Sequence, residues 1–192
     1  NSAAMITARA VDIREAVRVA AQAKSPQMPS RVQDAISDRL ISTSKTVDAK
    51  LIDESFARYE KHAAEVQQQL KEDAASSKLL SSAAVERLQE DAVVTVLRGD
   101  KDVATVVKES VATAKKGAIK ARLEEQALVR GLELPPGVLA VLLAQVGSSD
   151  DVDAAIAAAL DAWAEVVAVL PALLRDEAGR QGLDAEVADR LL

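Results

Sequence analysis

The sequence predicts an all-α protein, an elongated antiparallel helical bundle of about 7–9 helices with a smaller apolar C-terminal helical subdomain. Three observations lead there. Ala49, Ile52, Phe56, Tyr59, Ala63, Val66 and Leu70 recur at alternating spacings of three and four through a polar segment free of Gly and Pro, which is how one face of a long packed helix reads. Aromatic residues make up 2% of the chain, so the 49% that is hydrophobic must build its core from Leu, Val, Ile and much Ala. That palette favours helices over the aromatic and β-branched alternation of sandwiches and barrels. The seven glycines fall mostly where the apolar series end.

Taken in order, a first helix is expected after Ser2, carrying Ile6, Val11, Ile13, Val17 and Val19 toward Ala23, and the segment from Ser25 to Ser30 with Pro26 and Pro29 ends it. Ser30 is expected to cap a short helix with Val32, Ile36, Leu40 and Ile41 on one side. Thr46 or a neighbour then caps a long helix from about 47 to 75, roughly 43 Å at about 1.5 Å per residue. A compact globule of this chain length is only about 40 Å across, which is why an elongated shape is expected. A helix from about 83 to 98 presents Val85, Leu88, Ala92 and Val96, with Gly99 as a left-handed terminator and Asp100 as the next cap. The fifth, about 101 to 130, repeats the 4-3 pattern through Val107, Val111, Ala114, Ala118 and Ala121. Its Ala-rich middle with Gly117 suggests a closely approaching partner, for which the long third helix is the candidate in an antiparallel pairing.

Gly131 stops that helix, and Pro135-Pro136 opens one so apolar, from Val138 to Val146, that burial all round is expected. Ser148 to Asp151 reads as a helix N-terminus with acids at the positive end of the dipole. Beyond it Ile156, Leu160, Trp163, Val167 and Leu170 share a face, Pro171 kinks or restarts the helix, and Asp184 caps a terminal one after Gly179 and Gly182. The two helix starts at Gly99 and Gly147 look alike, but caps and terminators alone produce such likeness.

Net charge divides unevenly. Residues 1–131 carry 21 Lys+Arg against 19 Asp+Glu, whereas 132–192 carry 3 against 11, so a near-neutral front of net +2 is followed by an acidic, apolar back of net −8. Two regions are expected on that basis: a long-helix bundle at 1–131 and an acidic, apolar helical subdomain at 132–192, which could also be one continuous domain. The chain begins Asn1-Ser2-Ala3-Ala4 without Met and without the apolar stretch of a signal peptide, which suggests a piece of a longer protein. Asp161, Glu165 and Pro171 interrupt the most apolar stretch, 154–174, and argue against a membrane span. A cytoplasmic protein is the expectation, and plentiful Ala, Val, Arg and Asp suit a GC-rich bacterial coding sequence.

The inventory for chemistry is thin. Without Cys there is no disulfide, thiolate ligand or cysteine nucleophile. One histidine, His62, cannot supply paired Glu-x-x-His motifs or His-Glu-x-x-His, and it reads as a helix-flank residue beside Arg58 and Glu65. No glycine-rich phosphate loop or nucleophile elbow occurs. The acidic pairs Asp53-Glu54, Glu72-Asp73, Glu124-Glu125 and Asp150-Asp151 point apart on a helix, so no metal is expected, nor any other cofactor or small-molecule substrate.

The expected function is therefore a non-enzymatic protein–protein interaction or assembly module, with self-association as one form of it. Leu142, Ile156, Leu160, Trp163 and Val167 are the candidate contact residues, Trp163 as the aromatic anchor. The alternative is nucleic-acid or polyanion binding by Lys101, Lys108, Lys115 and Arg122, spaced by seven along one stripe, with Lys116 and Lys120 beside it. Overall acidity and the lack of stacking aromatics weigh against that alternative. A helix-turn-helix over residues 11–41 has too long and stiff a central loop.

Overall fold

The computed structural model describes residues 2–74, 78–99, 101–182 and 190. Among these every regular element is an α-helix: α1 (Ser2–Lys24), α2 (Ser30–Thr43), α3 (Ala49–Ala74), α4 (Ser82–Arg98), α5 (Val103–Val129), α6 (Pro136–Gly147) and α7 (Val152–Arg180). The chain forms two compact units that divide within α5, between Lys115 and Lys116. The composition shift at 131/132 coincides with the α5–α6 turn instead.

In the first unit α2 packs against α1 and α4, and α3 packs chiefly against α4. Arg14 of α1 pairs with Asp34 at 3.5 Å and Asp38 at 2.5 Å, and Arg9 donates to the Ser44 carbonyl, so α1 and α2 run antiparallel. The second pairing is parallel. Arg31 meets Asp91 at 2.7 Å and the Arg39 guanidinium donates to the Gly99 carbonyl at 3.3 Å, both across a separation of 60 residues, so α2 and α4 keep one register along their length. Beneath these rim pairs lies the apolar core of the unit: Val17, Val32, Ala35, Phe56, Val66, Leu70, Ala92, Val96 and Val107 are all at most 3% exposed. The α3 stripe read from the sequence supplies its share, with Ile52, Tyr59 and Ala63 half-buried around Phe56.

The caps explain where helices begin. Ser81 Oγ accepts from Ala84 N at 3.1 Å, Asp48 Oδ1 from Leu51 N at 2.8 Å, and Asp102 Oδ2 from Thr105 N at 3.0 Å. Asp48 is the cap expected at Thr46 or a neighbour, and Asp102 caps α5; Asp100, expected there, and Asp184, expected to cap a terminal helix, lie outside the described residues. Ser30 is itself the first residue of α2, which starts after Pro29 without a side-chain cap.

Four further expectations give way to packing. Gly99 ends α4 in an extended conformation (φ −116, ψ −175), so no left-handed turn is used there, whereas Gly131 (φ 67) does take the left-handed form after α5. The long α3 finds its partner in α4, its neighbour in sequence, and not in α5. A short connection makes that hairpin cheap in loop-closure entropy, and α4 offers bulky Leu88, Val93 and Val96 where the middle of α5 offers Ala. A Cβ built on Gly117 meets nothing within 4 Å, so no helix makes the close approach that this glycine suggested. Finally, α7 runs unbroken through Pro171. The carbonyl four residues back belongs to exposed Val167, where water can replace the lost donor.

Candidate interaction surface

The second unit holds α6, α7 and the α5 residues from Lys116 onward. Arg122 of α5 pairs with Asp153 of α7 at 2.8 Å and Arg130 with Asp161, both across a separation of 31 residues, so α5 and α7 run parallel in one register. Trp163 closes the series, its indole Nε1–H donating to the Glu133 carbonyl at 2.9 Å. Between them α6 returns antiparallel, entered through Pro136 at its first turn and followed by Asp151, whose carboxylate accepts from Ala154 N at 3.1 Å to start α7. The core is made by Ile119, Leu123 and Ala127 of α5, Leu142 and Val146 of α6, and Ile156, Ala159 and Leu160 of α7.

Lengths then decide what stays uncovered. In the 31-residue register the last residue of α5, Val129, lies level with Leu160, and the 12 residues of α6 span roughly 18 Å at about 1.5 Å each. The 29-residue α7 outruns both neighbours. From Ala164 to Arg180 it continues past both by roughly 25 Å, at about 1.5 Å per residue, and Ala178 in its last turn is buried. Along this overhang Val166, Val167, Val169, Leu170, Leu173 and Leu174 are 37–57% exposed. Their spacing spreads them over one broad face that continues the buried seam of Ile156, Leu160 and Trp163.

The five candidate contact residues therefore separate. Leu142, Ile156 and Leu160 are buried within the unit, Trp163 is half-buried and hydrogen-bonded, and Val167 is 40% exposed. The exposed apolar residues that sequence reasoning missed, Val166, Val169, Leu173 and Leu174, lie one to three turns further on. Their signal was an apolar helix much longer than either of its neighbours. The expectation that α6 is buried all round is corrected too. Only Leu142 and Val146 are fully buried there, and Val141 is 57% exposed, because a helix packed on one side by α7 keeps an open flank.

By length and composition alone α7 is apolar enough to cross a membrane, with 17% of its most apolar stretch buried. The basic residues proposed for polyanions are partly engaged. Lys101 pairs with Glu109 at 3.3 Å, Lys120 with Glu124 at 3.9 Å and Arg122 with Asp153, while Lys108 and Lys116 are exposed and Lys115 is half-buried. His62, half-buried on α3, accepts from Arg58 Nε at 3.3 Å and faces Glu65 at 3.2 Å. Among the described residues no group of three or more His, Asp or Glu could hold a metal. No family model, curated protein or solved structure matches the chain.

Proposed function

We propose that this protein is a non-enzymatic helical interaction or assembly module that engages a partner through the overhanging half of α7. The carrying observation is the exposure of six large aliphatic side chains, Val166 to Leu174, on a helix whose own neighbours end at the level of Trp163. Contiguous apolar surface of that kind marks contact sites in soluble proteins. Covering these side chains, which are 37–57% exposed, gains part of the roughly 1.5–3 kcal/mol that complete burial of an exposed Val or Leu provides. The contact can be made with a second copy, in which case the same face serves both subunits.

Absolute mass by light scattering on a sizing column, at low and high salt, is the test. A dimer or larger assembly whose mass does not change with salt, and which Leu170→Asp and Leu173→Asp convert to folded monomer, is the expected result. Assembly that persists in both variants would place the contact elsewhere. The acidic balance of residues 132–192, a net of −8, favours a neutral or basic partner over a polyanion for this face.

A further inference from the structure

Two apolar lines run along the end of α7. The inner one is Leu160, Ala164, Val167, Pro171, Leu174 and Ala178, spaced by four and three. Leu160 and Ala178 are buried, Ala164 and Pro171 are half-buried, and Leu174 and Val167 are 37% and 40% exposed. The outer one is Ala162, Val166, Val169 and Leu173, again spaced by four and three, and its three large members are 45%, 52% and 57% exposed. At about 100° of turn per residue the two lines lie roughly 150° apart around the helix. The inner line continues the side of α7 that packs within the unit, so the outer line faces away from it.

Charge singles out the outer line. Of the carboxylates on α7, Asp153 pairs with Arg122, Asp161 with Arg130 and Glu177 with Arg180. Glu165 and Asp176 remain, both exposed and neither meeting a cation among the described residues. Eleven residues, about three helical turns, separate them. They therefore share one edge of the outer line, with Val169 and Leu173 between them, roughly 16 Å from end to end at about 1.5 Å per residue. We propose, on the reading of this end of α7 as a contact surface, that the outer line docks a basic amphipathic helix of a partner protein. The partner's aliphatic stripe lies on Val166, Val169 and Leu173, and two of its Lys or Arg residues, about 16 Å apart, face Glu165 and Asp176.

A second copy is the wrong occupant for that line. Parallel copies overlapping along it set Glu165 against Glu165 and Asp176 against Asp176, and antiparallel copies set Glu165 opposite Asp176, so like charges meet in either case. Sliding antiparallel copies until Glu165 reaches Arg180 puts Asp176 opposite Val169 and gives up the apolar overlap. Arg175 lies roughly 150° around the helix from the line, at about 100° per residue, and does not offset the repulsion. What repels a copy attracts a basic helix and fixes its register. The same two carboxylates disfavour an anionic lipid surface. The inner line carries no charge and stays open to self-association.

Fluorescence anisotropy of a labelled synthetic helix, titrated with the full chain, tests the site. The probe carries leucines at spacings of three and four and two lysines eleven residues apart on one flank, with no other charge. Saturable binding below millimolar concentration is expected. It should be about tenfold weaker in the double variant Glu165→Lys with Asp176→Lys, because each exposed ion pair contributes only a few-fold. That variant should instead prefer a probe with glutamates in place of the lysines. Asp150→Lys, an exposed change in the turn before α7, should bind the lysine probe normally. Equal binding of the two probes by the parent chain, an equal loss in Asp150→Lys, or no binding of the lysine probe at millimolar concentration would overturn the assignment. Light scattering reads self-association separately. A monomer that binds the lysine probe supports this site and overturns only self-assembly, whereas a chain that assembles through α7 and ignores the probe overturns this site and keeps the contact surface.

Discussion

The two units use the same helical vocabulary with opposite results at their edges. In the first, helices of 14 to 26 residues find partners along their apolar faces, and ion pairs such as Arg31–Asp91 and Arg14–Asp38 sit on the rims. In the second, a 29-residue helix lies against one of 12 residues and the closing half of α5, and its apolar face continues past both. An apolar stripe becomes core only as far as a neighbour is long enough to cover it. Beyond that point the same residue types become surface, which is why Leu160 is fully buried and Leu173 is 57% exposed on one helix.

The sharpest way to break this contrast is to truncate both leucines. Leu160→Ala should cost about 2–5 kcal/mol, as buried leucine truncations do, while Leu173→Ala should stay within about 0.5 kcal/mol. Denaturant unfolding followed by Trp163, the one tryptophan in the chain, reads the second unit directly. Equal losses at the two positions would mean that something covers the overhang. Leu70→Ala, equally buried in the first unit at 2% exposure, should cost about as much as Leu160→Ala, read by helical circular dichroism.

Smaller effects probe how the second unit is clasped. Trp163→Phe keeps an aromatic ring at this position of α7 but removes the donation to the Glu133 carbonyl, an expected loss of about 1 kcal/mol in the same unfolding experiment. Asp151→Ala, which uncaps α7, should cost about 1 kcal/mol and show as lost helicity at the start of that helix by amide exchange.

The smallest expected effect is a pH dependence. Hydrogen bonds from the Thr105 side chain and backbone hold the Asp102 carboxyl below its usual 3.8. A carboxyl depressed in the folded state stabilises it at pH above its unfolded value, and that contribution fades as pH falls through the folded value. Asp102→Asn should therefore be slightly less stable than the parent near neutrality, with the difference shrinking in acid. Unfolding midpoints measured from neutral pH down to pH 3 would show it, and a gap that widens in acid would refute the assignment.

Much of this architecture was legible in the chain because helix formation is written locally. The α3 stripe, the stop at Gly131, the Pro136 start and the Asp151 cap each need only residues within a turn or two. The candidate surface was only half legible. Trp163 and Val167 lie on the helix that carries the exposed aliphatic face, whereas Leu142, Ile156 and Leu160 are interior, since apolar periodicity says which face is buried and not what buries it. Pairing was least legible. Nothing local distinguishes α4 from α5 as the partner of α3, and the polar contacts that mark the 60- and 31-residue registers form only after the helices pack.

The sequence by itself determined that this protein is all-α and where most helices start and stop, because propensity and capping act over a few residues. Tertiary structure alone decided which stripes became core, that α2 and α4 run parallel, and that the aliphatic face of α7 from Val166 to Leu174 stays exposed. Those outcomes depend on relative helix lengths and on contacts between residues far apart in the chain, and a local pattern carries neither.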